Sequence, residues 1–162
     1  MMRSFATLVT LSSLLLGSAD AQFERIFPGG STGCGRGADF SFYYRPGTVN
    51  KVVVDFEGGG ACWDILTCLL PIWNTEVGNA PSNSALASTT NTDNPTLGWG
   101  YLFVPYCTGD VHLGAGEAAG VNFNGRVNSQ AALDYLNTVM PEPEATLTTG
   151  CSAGALGAVG WA

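Results

Sequence analysis

Thr148-Thr149-Gly150-Cys151-Ser152-Ala153-Gly154 decides how this chain is read. It contains G-x-S-x-G directly after a short strand-like run, Ala145 to Thr149, and before a run of small residues, Ala155 to Ala162. Strand, tight turn and helix in that order is the setting in which G-x-S-x-G forms a nucleophile elbow. Its glycines permit a turn so sharp that the serine hydroxyl stands clear above the sheet. Glycine and serine are common in this chain, so the pattern has weight only through that setting and through what the other segments supply.

A serine hydroxyl is a weak nucleophile that needs a base beside it and N–H donors for the oxyanion it creates. The donors can be placed. One is the residue after the nucleophile, Ala153. The other comes from a glycine-rich loop after an early strand, and Glu57-Gly58-Gly59-Gly60-Ala61 stands in that position, with Gly59 and Gly60 the donors. The base is harder to place. The triad order for this fold is Ser, acid, His, yet residues 153–162 hold no His, Asp or Glu. The sole histidine, His112, lies upstream. It and Asp110 follow a strand-like run at the end where substrate sites form, so both are candidates to line one.

Upstream of the elbow the pattern alternates. Phe40 to Arg45 is an aromatic strand, and Lys51 to Glu57 is the clearest strand, its valines unbroken as in a parallel strand buried on both faces. Cys62 to Trp73 allows a short helix limited by Pro71. Thr75 to Gly98 is a polar loop, long for a compact domain and suited to a lid, a binding loop or a tolerated insertion. Tyr101 to Tyr106 is a strand, and Gly114 to Gly125 a glycine-rich connection. Asn128 to Met140 is a helix capped by Asn128 and stopped by Pro141, with Ala132, Leu136, Val139 and Met140 facing inward. Residues 22–40 read as irregular, with Cys34 a tether. Strands alternating with helices predict an α/β fold with a largely parallel sheet.

Residues 1–21 read as a secretory signal peptide, with Arg3, the apolar run Phe5 to Leu16 and Ala19-Asp20-Ala21 as cleavage site. The apolar run is short for a membrane anchor. In an oxidising compartment most of the five cysteines should pair, and Cys62 with Cys68 can close a local loop. An odd count leaves one without a partner in this sequence. A structural metal is not expected, since there is no C-x-x-C and one histidine, and nothing calls for a cofactor. A net charge of −7 argues against nucleic acid and anionic membrane surfaces as partners.

Four blocks carry a resemblance. They are Ser41–Gly47 with Lys51–Trp63 (SFYYRPG, KVVVDFEGGGACW), Asp93–Gly114 (DNPTLGWGYLFVPYCTGDVHLG), Asn128–Tyr135 with Glu142-Pro143-Glu144, and Thr149–Ala155 (TGCSAGA). Together they resemble the pectin acetylesterase family of Notum-like carboxylesterases, over almost all of residues 22–162. The resemblance implies an α/β-hydrolase-like fold and hydrolysis of carboxylic esters, with an acylated polysaccharide or another ester as substrate. It places the nucleophile at Ser152 and the oxyanion donors at Gly59, Gly60 and Ala153. It also implies further strands after the elbow, bearing the triad Asp and His. Residues 22–162 are therefore expected to be the N-terminal part of one hydrolase domain. The alternative is a secreted carbohydrate- or ligand-binding protein on a hydrolase scaffold.

Overall fold

The computed structural model describes residues 22–81 and 84–162. The signal-peptide reading falls on residues 1–21, outside those described. At the centre is a five-stranded sheet in the order β1-β2-β4-β3-β7. Its strands are β1 (Glu24–Ile26), β2 (Phe42–Arg45), β3 (Lys51–Phe56), β4 (Gly100–Val104) and β7 (Ala145–Gly150). The strands β4, β3 and β7 run parallel, with Val53 opposite both Tyr101 and Leu147, while β1 and β2 add an antiparallel flank. The mostly parallel α/β expectation therefore holds for the half of the sheet that carries the elbow.

The unbroken valines of β3 are buried on both faces, as the pattern required. Val52, Val54 and Phe56 join one core with Phe42, Leu102 and Val104, roofed by Ala132 and Leu136 of helix α2 (Gly125–Val139) and Ala158 of helix α3 (Ala153–Trp161). Val53 joins the opposite core with Tyr43, Tyr101 and Phe103. No α-helix joins that second core among the described residues. The long loop after Thr75 does, setting Ala87 and parts of Val77, Ala80 and Leu86 against it. Arg45 donates to the Ala87 carbonyl (2.6 Å), and the Tyr43 hydroxyl to the Gly78 carbonyl (2.7 Å). Part of the loop is thus a core layer.

Several local expectations change. Helix α2 begins at Gly125, three residues before the predicted cap. Asn128 is instead buried inside it, where its amide accepts from the Gly33 N–H and donates to the Gly33 carbonyl, both at 3.0 Å. The helix start is held from another segment: the Gly125 N–H donates to the Asp110 carboxylate at 2.7 Å. A carboxylate there also complements the helix dipole. Val139 turns outward at the helix end, 42% exposed.

The expected irregular N-terminal stretch supplies β1, and the glycine-rich connection folds as a hairpin of β5 (Gly116–Ala118) and β6 (Val121–Phe123). Its two-residue turn, Ala119-Gly120, has positive φ at both positions (51° and 67°), the backbone that matches strand twist. Helix α1 is only Ile65–Leu69, capped by Asp64 and Thr67 in a reciprocal box.

Cysteines pair as Cys34–Cys107 and Cys62–Cys68, leaving Cys151 free and exposed. Among the described residues no helix is long and apolar enough to cross a membrane, and no cluster of His, Cys, Asp and Glu suits a metal.

Candidate active site

Ser152 stands between the end of β7 and the start of α3, exposed, with φ 55° and ψ −124°. A non-glycine residue pays roughly 1–3 kcal/mol for such a backbone and holds it only where its surroundings dictate it. Here they do. A Cβ on Gly154 would run into the Phe56 carbonyl at the end of β3, so helix and strand are closer than any side chain permits. The turn closes with Gly154 N–H to Cys151 carbonyl (2.9 Å) and Ala155 N–H to Ser152 carbonyl (3.0 Å). Ser152 occupies the N-cap position, yet its hydroxyl makes no capping hydrogen bond. That hydroxyl therefore stays available.

The triple glycine lies against this turn. A Cβ on Gly58 would strike the Cys151 carbonyl and come 3.4 Å from the Ser152 Cβ. The loop continues through Gly59 (φ 155°) and Gly60 (φ 81°). The Asn74 N–H donates to the Gly59 carbonyl (3.1 Å) and the Cys62 N–H to the Gly109 carbonyl (2.7 Å). Sequence places Ser152 and the glycines ninety-odd residues apart; the parallel pairing of β3 with β7, Phe56 opposite Gly150, sets them side by side.

Glu57, which the sequence reading passed over, anchors the loop. Its N–H donates to the Val104 carbonyl (3.0 Å), and its carboxylate accepts from the Tyr106 N–H (2.9 Å). Burial raises its pKa, an effect only partly offset by the Tyr106 hydrogen bond and reinforced by Asp55 nearby. The signal available in the sequence was an acid set directly between a valine-rich strand and three glycines.

His112 lies beneath the elbow, 2% exposed. Its Nε2 is 2.8 Å from the Glu57 carbonyl oxygen, which makes Nε2 the protonated nitrogen of a neutral ring. The ring packs edge-on to Phe56 and beside Tyr106, and a Cβ on Gly157 of α3 would press on it. Burial lowers its pKa from 6.5 to about 4, against a smaller opposing effect of the Glu57 hydrogen bond. The Trp161 indole donates to its backbone carbonyl at 3.0 Å.

Asp110 also points inward. Its carboxylate accepts from the Thr108 hydroxyl (2.6 Å), the His112 N–H (3.2 Å) and the Gly125 N–H (2.7 Å). Burial raises its pKa despite those bonds. Both residues therefore tie the segment after β4 to the elbow, the glycine loop and α2.

A family model described as pectinacetylesterase matches residues 29–162. Among curated proteins, pectin acetylesterase 11 of Arabidopsis thaliana is 29% identical over 143 residues, covering 78% of this chain and 36% of that protein. Two crystal structures of the Wnt deacylase Notum from Drosophila share the fold. Their TM-scores are 0.64 and 0.62 at 23% and 22% identity, over 83% and 84% of this chain and 43% and 44% of theirs. The chain spans less than half the length of each of these relatives.

Proposed function

The chain belongs to the pectinacetylesterase family, and on that premise we propose that it is the N-terminal part of a secreted serine carboxylic-ester hydrolase. Its substrate in this reading is an acetylated polysaccharide such as pectin. The observation that carries the proposal is the left-handed backbone of Ser152, with its hydroxyl uncommitted and the Gly58 loop packed against the same turn.

Ser152 Oγ attacks the acetyl carbonyl carbon, and the N–H groups of Gly59, Gly60 and Ala153 donate hydrogen bonds to the oxyanion that develops. Collapse expels the sugar hydroxyl and leaves an acetyl-serine, which water hydrolyses to acetate. The base and its carboxylate partner come from sequence after residue 162, in the order usual for the fold. The sheet order supports this: β7 ends it with β3 as its one partner among the described residues, which leaves its outer edge free for a further strand. His112 and Asp110 serve in this reading as the scaffold beneath the site. Secretion fits the two disulfides, which persist in oxidising compartments.

Acetate release from acetylated pectin by the native protein, purified from its source, tests the proposal. Ser152→Ala should abolish release, by at least about 10⁴-fold. Undiminished release by that variant would overturn the assignment of the nucleophile.

A further inference from the structure

A cleft of about 420 Å³ lies between the turn at Pro28–Thr32 and the outer face of α2, and none of its lining residues belongs to the ester chemistry above. Its volume is that of a small-molecule subsite. From α2 come Arg126, Gln130 and Asp134, at successive i, i+4 positions along one face over about 12 Å. Ser31 and Thr32 stand in the opposite wall. The walls are fixed in advance. Gly33, directly after the turn, exchanges two 3.0 Å hydrogen bonds with the buried Asn128 side chain of α2, and Cys34 is tied to Cys107. A site held open in this way loses little freedom on binding.

The uncommitted groups in the cleft have a definite chemistry. The chain carries six Lys and Arg against 13 Asp and Glu, and most of the described cations are occupied. Arg25 donates to the Ser41 hydroxyl, Arg36 to the Gly120 and Cys68 carbonyls and Arg45 to the Ala87 carbonyl, while Lys51 lies over the Trp99 ring. Arg126 is exposed, and its guanidinium has no hydrogen-bond, ion-pair or aromatic partner among the described residues. Gln130 uses an amide N–H on the Asp134 carboxylate (2.8 Å), which leaves the Gln130 carbonyl and the other Asp134 oxygen to accept. The Thr32 hydroxyl is bonded to the Gly29 carbonyl (2.6 Å), and that of Ser31 is uncommitted. A forked cation at one end matches a planar carboxylate, and the acceptors beyond it match hydroxyl groups. A uronate ring carries both. A sulfate or phosphate dianion would use the Arg126 end alone and leave the acceptors idle.

We propose that this cleft is a second carbohydrate site, which takes a uronate unit with its carboxylate on Arg126 and its hydroxyls on Gln130, Asp134 and Ser31. The polysaccharide as substrate rests on the hydrolase reading; the binding of a uronate does not. Such an anchor holds a long chain by a unit remote from the ester being cleaved, on a protein whose net charge of −7 otherwise repels a polyuronate.

The test is a ¹⁵N–¹H titration of the full chain with trigalacturonate and, separately, with its neutral counterpart galactotriose and with inorganic sulfate. The Arg126 Nε–H resonance, assigned by its loss in Arg126→Gln, should move saturably with trigalacturonate. Galactotriose and sulfate should each need at least a tenfold higher concentration for the same shift, the loss expected when the charged contact or the hydroxyl contacts are missing. Gln130→Ala, an exposed substitution that leaves the guanidinium in place, should weaken the trigalacturonate response at least threefold. An unmoved Arg126 resonance, an equal response to galactotriose, or an equal response to sulfate (an adventitious anion contact only) would overturn the proposal. Trigalacturonate carries no acetyl ester, so a null titration leaves the hydrolase reading standing, and absent acetate release with a normal titration leaves the second site standing.

Discussion

The two sides of Ser152 are built differently. Toward β3 the site is braced. Gly58 and Gly154 bring main chain against main chain, His112 bonds the carbonyl that leads into the loop, and Cys34–Cys107 ties down the segment after β4. Toward the outer edge of β7 the molecule is open. Leu147 is 36% exposed, Leu156 55% and Val159 80%, in a chain whose central valines are at 2% or less. The difference separates two requirements of acyl transfer. Oxyanion donors are backbone groups, fixed by strand pairing and glycine loops within one part of the sheet. A base is a side chain, and no titratable side chain stands on the open flank among the residues that follow Ser152.

The braced side should be the sensitive one. Cys34–Cys107 closes a separation of 73 residues and Cys62–Cys68 one of 6. By chain entropy these contribute about 4 and about 2 kcal/mol, so Cys34→Ser with Cys107→Ser should lower the urea midpoint about twice as far as the Cys62, Cys68 pair. An equal loss would break the contrast.

Acid should act through His112. Its folded pKa lies below its unfolded value, about 4 against 6.5, so the unfolded chain binds the extra proton between those values. Stability is intact above pH 6.5 and falls as pH drops toward 4, by about 3 kcal/mol at most. The raised pKa values of Glu57 and Asp110 act in the opposite direction. The difference between wild type and His112→Gln therefore isolates the histidine, and it should shrink steadily from pH 6.5 to pH 4 in urea titrations.

Gly58→Ala should push the loop off the Cys151 carbonyl and cost about 100-fold in acetate release by the native protein, since a shift near 1 Å suffices for that. The clash is with main chain, so stability should fall as well, by about 1–3 kcal/mol. On the open flank of the 162-residue chain, Val159→Thr should alter stability by no more than about 0.5 kcal/mol. A larger loss in that chain would break the contrast.

Elements with a strong local signal were legible in the sequence. β3 announced itself through Val52-Val53-Val54 and the elbow through Gly150 and Gly154, whose missing side chains prove to be sites of backbone contact. The short disulfide followed from proximity alone. What could not be read is what distant residues impose. β1 has three residues and exists by pairing with β2. The α2 terminus depends on Asp110, fifteen residues away, which takes the place of a local cap. The hairpin turn uses an alanine at positive φ, where local preference favours glycine or asparagine. At the site, Ser152 and the glycines were visible as motifs, but the inward orientation of His112 and the hold of Glu57 on the Tyr106 N–H arise only when β3, β4 and β7 are assembled.

An activated nucleophile at Ser152, as proposed, would react covalently with a serine-hydrolase reagent. Treating the native protein with a fluorophosphonate and mapping the adduct by peptide mass spectrometry tests it most directly. One stoichiometric adduct on Ser152, absent from Ser152→Ala, is the predicted result. An adduct on another residue, or acetate release from a protein whose Ser152 stays unmodified and whose activity survives the reagent, would contradict it.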